Sequence, residues 1–342
     1  MTGTPVPPPP HWPDQGVAWH YGDPLREQRR LVEGSAAVDL ANRGVVSVAG
    51  PDRLIWLTDL SSQVLTSLRP GESALTLILS PHGHVEHELH AVDDGDTTWL
   101  IVSPGSAEAV VAYLRSMQFL LRVEVADRTA EMAVVWEPES EADPQYPSWL
   151  VPADFTGSGH VEAGSDRGGD AGKYVRERPG ALVGREVIVP RTGLDMRLGL
   201  HADRAGTWAL EALRIAAAVP RLGLETDHRT LPHEVGWIGP GVHLAKGCYR
   251  GQEAVARVHN LGHPPRRLVL LHLDGSDESL PVHGAPVAVD GREVGWIGSA
   301  AWHYELGPIA TAVLKRSAPV TDVVVSTEKG EVAAAQEVVV LP

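Results

Sequence analysis

Lys246-Gly247-Cys248-Tyr249-Arg250-Gly251-Gln252-Glu253 contains the only cysteine of this 342-residue chain. Lys246 and Arg250 stand two residues to either side of the thiol, and a helix-like run, Gln252 to Asn260, follows at once. Nearby positive charge or a helix N-terminus lowers a thiol pKa and enriches the reactive thiolate. Both influences could act on Cys248. The competing reading is a small buried apolar residue, the commonest state of a lone cysteine.

Working outward, composition narrows the classes. Apolar residues make up 43% of the chain, an ordinary share for a globular protein. There are 29 basic and 44 acidic residues, a net charge of −15, which argues against nucleic-acid binding through bulk charge. One cysteine makes no internal disulfide, and no apolar run approaches the roughly 18 residues of a membrane span. The opening Met1-Thr-Gly-Thr-Pro-Val-Pro-Pro-Pro-Pro10 lacks the pattern of a signal peptide and reads as a stiff, extended tail. The expected location is the cytoplasm, with no membrane partner.

Arg26 to Asp39 has helical spacing, with Leu31, Val32 and Ala36 as inward candidates. Gly50-Pro51-Asp52 opens a second helix bearing Leu54, Ile55, Leu57 and Leu60. Leu75–Leu79, Val85–Val92 and Thr98–Val102 read as strands separated by turns. Such a mixture points to an α+β unit. Gly157 to Gly172 reads as a mobile loop, and Ala171-Gly172-Lys173-Tyr174 lacks the hydroxyl residue of a phosphate loop. Thr207 to Ala218 reads as a helix. From Leu268 to Pro342 short β-prone runs predict a separate barrel or sandwich, hinged at His263-Pro264-Pro265. The pentapeptide Val-Gly-Trp-Ile-Gly occurs twice, at 235–239 and 294–298, and is read as a coincidence of turn chemistry.

Two constellations stand out. In His82-Gly-His84-Val-Glu86-His-Glu88-Leu-His90, strand alternation places His84, Glu86, Glu88 and His90 on one face. Such a face lines a polar channel, binds metal or is simply solvated; its spacing matches no closed zinc pattern, and no metal site is expected. Glu211 and Arg214 lie three apart on one helix, the spacing of an ordinary ion pair. Glu253 and Arg257 have a similar relation.

Lys-Gly-Cys-Tyr-x-Gly-Gln-Glu resembles the signature of the YgfZ proteins, folate-binding relatives of the glycine-cleavage T protein, an aminomethyltransferase. Glu211-Ala-Leu-Arg-Ile215, Pro232-His-Glu234, Asp39–Leu60 and Ser73–Leu89 resemble further stretches of that family, so the likeness covers most of residues 30–340. It implies an α+β fold of three modules around a central channel. The expected division is a disordered Pro-rich tail (1–22), a discontinuous first module (23–44 with 131–262), a middle α+β module (45–130) and a C-terminal β-barrel (263–342).

The resemblance also implies tetrahydrofolate or another reduced folate as ligand, and a role in iron–sulfur cluster assembly or repair with cluster proteins or assembly factors as partners. Cys248 would be the reactive group, Arg214 and Glu88 ligand contacts, and Lys246 and Arg250 the cations that keep Cys248 ionised, with Tyr249 in the same loop. Aminomethyltransferases carry an Asp-Asp pair where this chain has His87-Glu88. They carry Gly-Tyr-Thr-Gly-Glu near Arg191-Thr-Gly193-Leu194-Asp195, where Asp195 is the stand-in for the pterin-binding acid. Both departures weigh against aminomethyl or other one-carbon transfer, which remains an alternative. A non-catalytic scaffold for a cluster-assembly partner is the other.

Overall fold

A computed structural model describes residues 3–156 and 178–341. The loop expected at 157–172 and the 171–174 tetrapeptide lie outside the described residues. Asp23 caps the first helix, its carboxylate accepting the Arg26 N–H at 3.0 Å. That helix, α1 (Pro24–Val32), is shorter than the spacing suggests: Gly34, at φ 77°, turns the chain and Ala36 starts a strand. Leu31 is buried as expected, whereas Val32 is 59% exposed.

Strands β1 (Ala36–Asp39) and β2 (Gly44–Ala49) lead to α2 (Arg53–Leu60), in which Leu57 is buried but Ile55 faces solvent. Then follow β3 (Ser73–Leu79), β4 (Val85–Asp93), β5 (Thr97–Val102), α3 (Ala107–Met117) and β6 (Glu124–Asp127). These strands form an antiparallel sheet in the order β3-β4-β5-β2-β6. One face packs on α2 and α3 through Trp56, Leu57, Val110 and Leu114.

The chain continues through β7 (Met132–Glu137), β8 (Ser148–Leu150), β9 (Arg185–Pro190), α4 (Leu194–Leu198), β10 (Asp203–Ala205) and α5 (Thr207–Ala216). A second sheet runs β10-β1-β7-β9-β8, parallel only between β1 and β10. The two sheets share a core of Leu75, Leu77, Val92, Val134, Trp136, Ile188 and Trp237. Helix α5 is buried on two sides: Ala209 and Leu210 join that core, while Ala212, Ile215 and Ala216 meet Leu268, Leu270 and Ile309 of the barrel.

After α6 (Gln252–Leu261) come β11 (Arg266–Leu273), β12 (Pro286–Val289), β13 (Arg292–His303), β14 (Gly307–Lys315), β15 (Val323–Thr327) and β16 (Gly330–Val338). They close into a barrel in the order β11-β14-β13-β12-β15-β16, filled by residues such as Val269, Leu271, Ile297 and Leu314. Closure leaves no open sheet edge. The architecture is mixed α+β with a C-terminal six-stranded barrel.

The N-terminal residues depart from the expected disordered tail. Val6 bridges to His20, and the Ala18 and Trp19 carbonyls accept the N–H groups of Thr207 and Trp208 at the start of α5. Trp19 stacks on Trp208 at 5.5 Å and 11°, and Asp14 is 2% exposed. Prolines stiffen this segment, but apolar burial and donors unsatisfied at a helix N-terminus hold it down.

Candidate functional site: a buried charged cavity between the sheets

Val92, Leu89 and Ala91 show the regular alternation of β4, with even-numbered residues toward the shared core and odd ones toward α2 and α3. Glu88 and His90 therefore face the second sheet, and His87 turns away toward Tyr113, 6.4 Å between rings. A bulge against Ile78 and Leu79 breaks the alternation at Glu86. Val85 consequently joins the shared core, and Glu86 leaves the face it was expected to share with Glu88 and His90. The four-residue face read from the sequence is thus two residues deep, because one extra residue in a strand reverses every side chain beyond it.

His90 is the hub. Its Nδ1 lies 2.7 Å from Glu186 on β9, its Nε2 3.4 Å from Glu88, and its ring stacks on Trp149 of β8 at 3.7 Å and 10°. Burial by itself disfavours the imidazolium, but the charge and hydrogen bond of Glu186, seconded by Glu88, raise the His90 pKa to about 9. Burial likewise opposes ionisation of Glu186, yet Arg43, 3.4 Å away, and His90 bring it down to about 2. Both members of the pair are therefore charged at neutral pH. Glu88 accepts the Leu222 N–H at 3.0 Å.

Arg214 reaches the same place from α5. Its guanidinium bonds Glu211 at 2.8 Å, Glu225 at 3.1 Å, the Val219 carbonyl at 2.6 Å and Ser299 of the barrel at 2.7 Å. The expected i,i+3 pair with Glu211 is present, but it is one arm of a buried network. Glu225 is fully buried and also accepts from Ser299 and Thr311, tying α5 to β13 and β14. Arg221 extends the network to Glu211 and Asp14.

These groups enclose a cavity of about 50 Å³, lined by Glu88, His90, Trp149, Glu186, Arg214 and Arg221 among others. That is room for a few waters. A wider groove of about 1060 Å³ lies on the other side of Leu75 and Val151, which line both spaces.

The cysteine loop is elsewhere. Cys248 is exposed. Gly251, at φ 84°, presses on the Ser80–Gly83 turn, where a Cβ would meet the Ser80 carbonyl oxygen at 2.5 Å, so the expected close approach holds there; Gly247 has open space around it. The cations expected to flank the sulfur are engaged with other groups. The Lys246 ammonium is buried, donates to the Thr58 and Ser61 carbonyls at the end of α2, and lies 4.7 Å over the Tyr249 ring. Burial lowers its pKa to about 8 and raises that of Tyr249 to about 12. Arg250 pairs with Glu86 at 3.0 Å. Carbonyls at a helix C-terminus attract a cation more than a flexible thiol does.

Of the residues singled out in the sequence, Glu88 and Arg214 are brought to one cavity. Lys246, Cys248, Tyr249 and Arg250 form the separate loop. Asp195 joins neither: its side chain is 90% exposed and pairs with Arg204 at 3.1 Å. Glu253 and Arg257 form no ion pair among the described residues. Sequence reasoning missed Trp149, Glu186, Arg221 and Glu225. The one available signal was the charge of Glu186 directly ahead of the apolar run Val187-Ile188-Val189 in β9.

Residues 266–342 match the family model described as the glycine cleavage T-protein C-terminal barrel domain. A protein described as a chloroplastic transferase of Arabidopsis thaliana is 27% identical over 295 residues, 81% of this chain but 65% of that protein, so the chain spans less than two thirds of its length. The aminomethyltransferases of Rubrobacter xylanophilus and a Nostoc species are 28% identical over 79% of this chain and 73% of theirs, and 25% identical over 84% and 78%. The crystal structure of the glycine cleavage system aminomethyltransferase T from Bartonella henselae superposes with a TM-score of 0.71, 18% identity, and coverage of 95% of this chain and 90% of that one. The chain is therefore similar in sequence to aminomethyltransferases, shares the fold of a glycine cleavage T protein, and carries that family's C-terminal barrel domain.

Proposed function

We propose that this protein binds a reduced folate, tetrahydrofolate or a one-carbon derivative, in the cavity between its two sheets. The observation that carries the reading is the buried grouping of Glu88, Glu186, His90 and Arg214 beside Trp149. A pterin offers an amide edge and an amino group to carboxylates, a carbonyl to a guanidinium, and a flat face to an indole. The chemistry of the donor set fits. The volume does not fit in this conformation, since about 50 Å³ is far below the several hundred Å³ of a small-molecule site.

The finer reading is support of iron–sulfur cluster assembly or repair, with Cys248 as the reactive group. What supports it is the Lys246–Glu253 signature together with an exposed thiol. Folate-dependent one-carbon transfer and a scaffold role are the alternatives; the relatives' names favour the first of these, and the positions of His87 and Asp195 count against it.

Anaerobic calorimetry with tetrahydrofolate tests the ligand. Saturable one-to-one binding, weakened about tenfold by Glu88→Gln, is expected for loss of a charged hydrogen bond. No heat and no fluorescence change at millimolar ligand rejects folate. Cys248→Ser should then spare binding while abolishing complementation of a cluster-repair defect; unchanged complementation favours the scaffold.

A further inference from the structure

A cavity of about 50 Å³ admits no pterin, so one of its walls must move. Strands β3, β4, β8 and β9 and helix α5 supply hydrogen-bonded, periodic walls. Val151, Phe155 and Leu182 form one irregular stretch of the lining; the other, at Val219–Arg221, follows Ala218, a non-glycine residue at φ 48°. This wall is held by the N-terminal segment. Both Nη atoms of Arg221 donate to Asp14 at 2.7 Å, and Nη1 also bonds Glu211 at 3.0 Å. Asp14 accepts two more bonds, from the Trp12 indole at 3.1 Å and the Asn42 amide at 3.0 Å. Trp12 belongs to the same segment as Asp14, but the Arg221 fork and the Asn42 amide N–H lie outside it and together make a carboxylate receptor, filled here by the chain's own Asp14.

We propose that residues 6–21 are a strap that latches the cavity shut, and that an acidic group of the incoming ligand replaces Asp14 on Arg221 when the strap releases. For the ligand's identity this rests on the folate reading. Charge balance favours exchange over simple addition. Glu88, Glu186, Glu211 and the docked Asp14 already match the cations Arg43, His90, Arg214 and Arg221 around the cavity, so a further buried anion would be uncompensated. Replacing one carboxylate by another leaves the buried charge unchanged. The strap carries its own reporter, since Trp12 lies 5.0 Å from Trp19, which stacks on Trp208.

The test uses the full chain and Asp14→Ala. Acetate, the smallest carboxylate probe, should raise the thermal midpoint of the variant and leave the wild type unchanged; no effect on the variant overturns the receptor whether or not folate binds. Tetrahydrofolate should bind the variant about tenfold more tightly, because the closed fraction no longer competes. Its binding to the wild type should speed amide exchange over residues 12–21 and alter tryptophan emission. Equal or weaker binding by the variant, or wild-type binding with that exchange unchanged, overturns the latch while the folate reading stands. Acetate rescue without any tetrahydrofolate binding keeps the receptor and rejects the folate. Should Asp14→Ala not fold, Asp14→Asn serves for the affinity comparison, with the same two outcomes.

Discussion

His90 and Glu186, 96 residues apart in sequence, meet at 2.7 Å and join an interior strand of one sheet, β4, to an interior strand of the other, β9. The pair is buried and its partners perturb each other strongly, so its titration reports on the fold. The His90 pKa is raised from 6.5 to about 9, so its contribution is complete below pH 6.5 and is lost as pH rises through 9. The Glu186 pKa is lowered from 4.5 to about 2, so its contribution is complete above pH 4.5 and is lost as pH falls through 2. Denaturation midpoints should decline from pH 6.5 to 9, and His90→Gln should flatten that alkaline limb. An unchanged limb in the variant refutes the assignment.

Glu225 is expected to be the costliest single carboxylate to remove from the junction of α5 and the barrel. It is fully buried and accepts from Arg214, Ser299, Thr311 and the Arg221 N–H. Glu225→Ala leaves a buried guanidinium short of a partner, a loss of about 3–5 kcal/mol. Urea denaturation measures it, and a loss below about 1 kcal/mol contradicts the network described.

Lys246→Ala withdraws the donor from the Thr58 and Ser61 carbonyls. The expected loss is about 1–3 kcal/mol, the cost of buried acceptors left unsatisfied. Amide exchange should quicken both at the end of α2 and in the 246–251 loop. Quickening in the loop alone would show that the lysine does not bridge the two.

Cys248, exposed and outside every hydrophobic cluster, should react with one equivalent of an aromatic disulfide in the native state. Cys248→Ser should shift stability by no more than about 0.5 kcal/mol, as surface substitutions do. A silent thiol, or a large loss on substitution, would return it to the class of buried structural cysteines.

The barrel and the antiparallel sheet were legible because short β-prone runs punctuated by turns need no distant information. The cavity was only half legible. Arg214 and Glu88 were found through resemblance, whereas Glu186 and Arg221 lie in stretches that carry no motif. Their importance comes from partners 96 and 207 residues away, and a pairing at that distance leaves no local periodicity to read. The alternating face of β4 failed for a different reason: the bulge at Glu86 depends on the register with β3, which a single strand does not encode.

Val235-Gly-Trp-Ile-Gly239 and Val294-Gly-Trp-Ile-Gly298 divide local from global causes most clearly. By itself the pentapeptide determines an apolar segment with an indole and two permissive backbone positions. In the first copy, Gly236 adopts φ 77°, the chain turns, and Trp237 is fully buried in the core between the sheets. In the second, the same residues are extended in β13, paired with β14, and Gly298 makes room for Glu225, whose carboxylate oxygen a Cβ would meet at 2.8 Å. Apolar content and element type follow from short-range sterics and hydration, and the chain carries them in order. Register, burial of charge and the seat of Asp14 on Arg221 arise only when distant segments compete for the same desolvated partners.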